Sequence, residues 1–122
     1  MLNHIDIMGR LVADPELRYT QNQTPVCSFC VANEEDYVGE GGKRKTHFVN
    51  VVAWRRTAEF VCNFFKKGSM AIISGSLQSR DWQDDDGKKR VSWEVVANSV
   101  YFGNSKIAED KSVTQDDGEL PF

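Results

Sequence analysis

Cysteine is scarce, with three in 122 residues. An odd number in a chain of this size cannot form a closed disulfide framework and fits a reducing compartment. Two of the three, Cys27 and Cys30, have C-x-x-C spacing, but they fall in a run that reads as a strand. Residues three apart on a strand point to opposite faces and cannot share a metal. Further ligands would have to come from Cys62, His4 and His47, which form no second paired motif, so neither a metal nor another cofactor is expected. Long apolar runs are missing too. Nothing approaches the roughly 20 residues of a membrane span, and no basic segment followed by an apolar core opens the chain, so a cytoplasmic protein without membrane contact is expected. Finally, there is no excess of positive charge: 15 Lys and Arg stand against 18 Asp and Glu, a net charge of −3. Residues 1–104 hold thirteen of each sign, and residues 105–122 hold two bases and five acids. The body is neutral and the tail carries the surplus.

Neutral is not uniform. Lys43-Arg44-Lys45, Arg55-Arg56, Lys66-Lys67 and Lys88-Lys89-Arg90 are clustered, so local positive patches remain open to a neutral body. A length of 122 residues corresponds to one domain. Ile5, Ile7, Gly9 and Leu11 alternate with Asp6, Met8 and Arg10, the period of a half-buried strand that stops at Asp14-Pro15. A short extended piece to Tyr19, the polar turn Gln21-Asn22-Gln23-Thr24 and a second strand over 26–33 suggest a hairpin. The Gly- and Lys-rich stretch 39–45 reads as a mobile cationic loop before a third strand over 47–54. Ala58, Val61, Cys62 and Phe65 then recur at helical spacing, with Gly68 placed to end the helix. A strand over 70–82, with Gly75 as a possible bend, and another over 90–102 are joined by the hairpin turn Asp86-Gly87. On the last strand Val91, Trp93, Val95 and Ala97 share one face. Past Gly103 the apolar pattern dissolves, which divides the chain into a domain over 1–104 and a tail over 105–122. The fold class is all-β with one helix, and five strands with the helix between the third and fourth match the OB-fold, a five-stranded Greek-key barrel.

The aromatics carry the functional reading. Phe48 and Trp54 are six apart on the third strand and therefore point to the same side, while Val49, Val51 and Ala53 on the opposite face suffice for a core. Trp82 lies at the tip of the fourth strand between Arg80 and the acidic turn, and Tyr37 follows Glu34-Glu35-Asp36 in what reads as a polar loop. Exposed rings beside cations on a barrel suit sequence-tolerant binding of single strands, because bases stack on the rings and cations follow the phosphates. The candidate stacking residues are Tyr37, Phe48, Trp54 and Trp82. Candidate phosphate contacts are Arg10, Arg18, Lys43, Arg44, Lys45, Arg55, Arg56, Arg80, Lys88, Lys89 and Arg90. In the alternative arrangement Phe48 and Trp54 are core and the aliphatics face another subunit. The chain closes on Asp116-Asp117-Gly118-Glu119-Leu120-Pro121-Phe122. A ring on an acidic tail adds nothing to a fold, but Phe122 can fill a partner's apolar pocket while a basic rim meets its carboxylate and the acids behind it.

The order of Ile7-Met8-Gly9-Arg10-Leu11, Asp14-Pro15-Glu16-Leu17-Arg18-Tyr19-Thr20, Val51-Val52-Ala53-Trp54 with Ala58-Glu59, Lys67-Gly68-Ser69, Gly75-Ser76-Leu77-Gln78-Ser79-Arg80 and Glu94-Val95-Val96, closed by the acidic tail, resembles the bacterial and phage single-stranded-DNA-binding proteins. The resemblance implies a homotetramer of OB-folds that wraps single-stranded DNA without sequence preference and is not an enzyme. It also implies a tail that docks replication, recombination and repair proteins through Asp116, Asp117, Glu119, Leu120, Pro121 and Phe122. Tyr37, Phe48, Trp54 and Trp82 fall where that family places its base-stacking aromatics. The chain departs from the family at Gln23, where a turn Gly is usual, at Asp81 before Trp82, and at Gly118 among the tail acids. Its short linker over 105–115 is closer to phage, plasmid or competence-associated members than to a main chromosomal copy. Two other readings compete. One is an OB-fold nuclease using Asp84-Asp85-Asp86, although three acids before Gly87 are what a hairpin turn favours. The other is a replisome adaptor that binds mainly proteins.

Overall fold

A computed structural model of the chain describes residues 1–103; the tail residues Asp116, Asp117, Glu119, Leu120, Pro121 and Phe122 lie outside the described residues. Six strands and one α-helix follow in the order β1 (Ile5–Leu11), β2 (Glu16–Tyr19), β3 (Pro25–Val38), β4 (Arg44–Trp54), α1 (Arg55–Phe64), β5 (Met70–Gln83) and β6 (Lys89–Phe102), with a short 3-10 turn at Glu40–Gly42 between β3 and β4. The sheet runs β1-β5-β6-β4-β3-β2, and an additional β1–β3 pairing closes five of the strands into a barrel. Every pairing is antiparallel except the short parallel ladder Val51–Val95 and Val52–Val96 between β4 and β6. This closed five-stranded barrel with a single helix is an OB-fold.

Alternation builds the core. Cys27, Phe29 and Val31 from β3 pair with Ala53, Val51 and Val49 from β4. Leu11, Ala71, Ile73, Val95, Ala97 and Val100 complete the same interior. The aliphatic face of β4 is therefore inside, which removes the arrangement with Phe48 and Trp54 as core. One face of α1 presents Ala58 and Val61 to the barrel, and the chain leaves the helix at Phe65, whose amide donates to the Val61 carbonyl at 2.9 Å. Phe65 stacks on Phe102 with centroids 4.7 Å apart, tying the helix end to the end of β6.

Three expectations need correction. The extended piece before Tyr19 is a strand of its own, β2, paired with β3 from Glu16–Ser28 to Tyr19–Pro25 and lying outside the barrel. The second long strand does not stop at residue 33 but reaches Val38, so Tyr37 stands on a strand end and not in a loop. The third begins at Arg44, so Arg44 and Lys45 belong to β4 and only Lys43 of that triplet is left in the turn. Strand-face expectations hold for Cys27 and Cys30: Cys27 is fully buried in the barrel and Cys30 pairs with Asn50 on its outside.

Gln23 occupies the turn between β2 and β3 with φ of 64°, the left-handed region where a glycine is unstrained. Hydrogen bonds hold the turn in spite of that residue. The Gln23 amide donates to the Thr20 carbonyl at 2.8 Å, and the Thr20 hydroxyl accepts from the amides of Asn22 and Thr24 at 3.2 Å each.

Candidate nucleic-acid interface

Register decides which predicted residues share a surface, because directly paired residues in a ladder point to the same side. On the outside of the barrel, Arg18 of β2 pairs with Val26 of β3, which pairs with Trp54 of β4. Val26 is only 5 % exposed although it faces outward, since the long side chains of Arg18 and Trp54 flank it. A second row runs Arg10–Ala32–Phe48 through β1, β3 and β4. A third runs Glu16–Ser28–Val52–Val96–Ser76, across the parallel ladder to β6 and β5. Ser76 shares its face with Gln78, Arg80 and Trp82 further along β5, opposite Glu94, Ser92 and Arg90 of β6. Phe48, Trp54 and Trp82 thus belong to one continuous outer face, with Arg10, Arg18, Arg80 and Arg90.

The rings are accessible: Phe48 is 68 % exposed, Trp54 43 % and Trp82 46 %. Trp82 is also aimed. Its indole Nε1 donates to the Ser92 hydroxyl at 2.7 Å, which fixes the ring on the hairpin. The cations are held loosely. Arg18 Nη2 donates to Ser28 Oγ at 3.1 Å, Arg10 Nη1 to the Gly68 carbonyl at 3.1 Å, and Arg80 meets Glu94 at 3.4 Å. Exposed contacts of this kind contribute little, and a phosphate that replaces them gives up little.

Other predicted residues fall elsewhere. Arg44 turns inward on the chain: its Nη1 donates to the carbonyls of Glu35 at 3.0 Å and Asp36 at 2.7 Å, satisfying backbone that the irregular β3–β4 register between Glu34 and Val38 leaves unpaired. Tyr37 lies within that irregular stretch, 74 % exposed and outside the rows through Phe48 and Trp54. Lys45 alternates to the face of His47, and Lys89 to the face of Val91 and Trp93, both opposite the ring-bearing side. Lys43 and Lys88 sit in turns. Arg55 and Arg56 are exposed at the start of α1 directly after Trp54, with Arg55 at φ of 54°, so a strained residue marks the junction between ring-bearing strand and helix.

The acidic triplet is a turn. Asp84 Oδ1 accepts from the amides of Asp86 at 3.0 Å and Lys88 at 2.9 Å, and Oδ2 accepts from Arg90 Nε at 2.9 Å. The Lys88 amide and then the Arg90 guanidinium hold the Asp84 carboxyl below its ordinary pKa. Gly87 completes the turn at φ of 81°. Among the described residues no His, Cys, Asp and Glu side chains group in a way that could hold a metal ion.

Three exposed aromatics lie outside the stacking candidates: Tyr19 on β2, 57 % exposed, Phe64 at the end of α1, 61 % exposed, and Trp93 on β6. Trp93, 59 % exposed, shares its face with Val91 and Leu77, which are 55 % and 39 % exposed. These residues share a face with the core residues Val95 and Ala97, as the alternation suggests, but β5 and β6 reach past the barrel and leave Val91 and Trp93 without a core to join. Their common apolar face on a projecting hairpin was the available signal.

Residues 2–103 match the model of the single-strand binding protein family. The chain belongs to that family. Single-stranded DNA-binding protein 2 of Listeria monocytogenes is 45 % identical over 102 residues, covering 84 % of this chain and 64 % of the relative. Single-stranded DNA-binding protein A of Bacillus subtilis is likewise 45 % identical over 102 residues, covering 84 % and 59 %. A single-stranded DNA-binding protein of Caldanaerobacter subterraneus is 38 % identical over 128 residues, covering 98 % of this chain and 85 % of the relative. The matched part therefore amounts to about six-tenths of the Listeria and Bacillus proteins. As a single-strand binding family barrel, the domain carries its outer rings on β4 and on the β5–β6 hairpin, two elements paired directly with each other through the two-pair parallel ladder.

Proposed function

We propose that the chain is a non-enzymatic module that binds single-stranded DNA without sequence preference and protects it during replication, recombination and repair. One observation carries the reading: Phe48, Trp54 and Trp82 are exposed on the same outer face as Arg10, Arg18 and Arg80, while none is needed for the core. Stacking rings tolerate any base, and cations between them follow the backbone. No base-reading element is required. The names of the relatives agree with this reading. Assembly into a homotetramer is part of the proposal, supported by the exposed apolar face of Leu77, Val91 and Trp93 on the opposite side of the hairpin from Trp82. A cytoplasmic location fits the three free cysteines, and no helix among the described residues is long and apolar enough to cross a membrane.

Salt dependence tests the phosphate path. Changing Arg10 and Arg18 together to Ala is expected to weaken binding to all oligonucleotides alike and to flatten the slope of log K against log salt by about 1.4, from about 0.7 per phosphate contact on a single strand. Lys45→Ala with Lys89→Ala, on the other face, should leave the slope as it is. An unchanged slope in the Arg10/Arg18 variant, or equal flattening in both, would mean that DNA does not follow these rows.

The tail supplies the partner contacts in this proposal, through Asp116, Asp117, Glu119, Leu120, Pro121 and Phe122. Deleting residues 116–122 should leave the barrel folded and abolish capture of replication and repair proteins from a bacterial lysate, and deletion of Phe122 alone should nearly reproduce the loss. Equal recovery by all three proteins would reduce the tail to a solubility device.

A further inference from the structure

Cys27 on β3 and Cys62 on α1 face each other across the strand–helix contact, with Sγ atoms 3.1 Å apart. Both are free thiols. We propose that this pair is a redox modification site that closes to an intramolecular disulfide and locks α1 onto the barrel. The sulfurs need to approach by about 1 Å to reach a bond length near ~2.05 Å, a shift within reach of small side-chain rotations. The two positions differ in access: Cys27 is fully buried, and Cys62 is partly exposed on the helix. An oxidant therefore enters at Cys62. Cys30 takes no part, since it lies on the outer face of β3 beside Asn50.

With a hydroperoxide as oxidant the step balances. The Cys62 thiolate attacks one peroxide oxygen, the O–O bond breaks, and a sulfenic acid forms as hydroxide leaves and is protonated to water. The Cys27 sulfur then attacks the sulfenic sulfur. An S–S bond forms, the S–O bond breaks, and the Cys27 proton departs with the hydroxyl as a second water. Two thiols lose two electrons and two protons, and one hydrogen peroxide becomes two waters. Burial first, and then the hydrogen bond from Cys62, push the Cys27 thiol well above its ordinary pKa, so Cys27 waits as a protonated resolving thiol instead of reacting first.

The bond would close a loop that contains Tyr37, Phe48 and Trp54, together with every pair of the β3–β4 ladder except Val26–Trp54. A constraint across that span acts on the unfolded chain and should raise the melting temperature while the outer face stays open to ligand. The proposal is independent of DNA binding.

Treating the full chain with hydrogen peroxide and mapping its peptides provides the test. The expected product is a single chain, not covalently joined to another, lighter by about 2 Da, with Cys27 and Cys62 in one cross-linked peptide. Its melting temperature should rise by roughly 5–15 °C and return on addition of dithiothreitol. Cys62→Ser should abolish both changes, and Cys30→Ser should retain both. Stepwise oxygen addition at Cys62 without a cross-link, or disulfides only between chains, would overturn the proposal. So would a cross-link without any change in melting temperature, because the bond would then not act as a brace.

Discussion

Replacing Trp54 and Trp82 together with Ala is expected to weaken single-stranded DNA binding by about 2–6 kcal/mol, from about 1–3 kcal/mol for each lost base–ring stack. The two losses should add, because the rings sit on different hairpins and are expected to stack separate bases. Trp54→Phe should recover most of its share. Trp82→Phe should recover less, since Phe cannot make the Nε1 bond to Ser92 at 2.7 Å that aims the indole. The chain holds three Trp, and the third, Trp93, lies on the opposite face of the hairpin. Trp93 therefore acts as an internal control. Titration with oligo-dT should quench the fluorescence of the parent protein and leave that of the double variant, which comes from Trp93 alone, nearly constant. Trp54 also helps to cover Val26, so the variants must be melted alongside the parent to separate a lost stack from a loosened barrel. Normal affinity in the double variant, with quenching retained, would place the DNA on another surface.

The outer position of Phe48 and Trp54 was legible because β4 runs through the barrel, where one face meets a core and alternation has a meaning. Val49, Val51 and Ala53 claim the inside, and the rings must then be out. The same rule is silent where strands leave the barrel. Residues 33–38 look like a polar loop because neither face there meets a core, yet β3 and β4 stay paired through Glu34–Thr46 and again at Val38–Arg44. Val91 and Trp93 show the converse: their period matches Val95 and Ala97, but the core has ended. β2 offers only Leu17 and Tyr19 as an alternation, too short to mark a strand, and it is exposed along its whole length and held by backbone pairing to β3. Charge was the least readable feature. Lys43, Arg44 and Lys45 are adjacent in the sequence, and the fold sends one into a turn, one onto backbone carbonyls and one to the far face of a strand. A basic cluster in the sequence is a single patch only when its backbone is a loop.

Gly75→Ala should be the most damaging single methyl in the barrel. Gly75 lies where β1, β5 and β6 meet, paired with Ile5 on one side and Ala97 on the other. The β5–β6 register shifts between Ser74 and Gly75, so that Ser74 pairs with Ser99 and Gly75 with Ala97, and β6 carries one extra residue there. Such a bulge bends the strand and lets a sheet curl toward closure. Room for a side chain is absent on the β6 side: a Cβ on Gly75 would stand 2.0 Å from the Val96 carbonyl oxygen and 3.0 Å from the Ala97 Cα. Both obstacles are backbone in a paired strand, so relief requires moving β6 and not merely a rotamer. A loss of about 3 kcal/mol or more is expected, at the upper end of overpacking costs. In a domain of this size that corresponds to a fall in melting temperature of roughly 10–20 °C. The damage should extend to binding, because the same two strands continue outward to Trp82, Ser92 and Arg90, and a displaced β6 misplaces the hairpin that carries the ring. Thermal unfolding and oligo-dT titration of Gly75→Ala, beside Gly87→Ala in the exposed turn where a Cβ meets nothing within 4 Å, separate close approach from the ordinary cost of replacing a turn glycine. A Gly75→Ala protein that melts within 3 °C of the parent, or no lower than the Gly87 variant, would mean that β5 and β6 do not cross so closely, and the assignment of Gly75 as the closing bend of the barrel would fail.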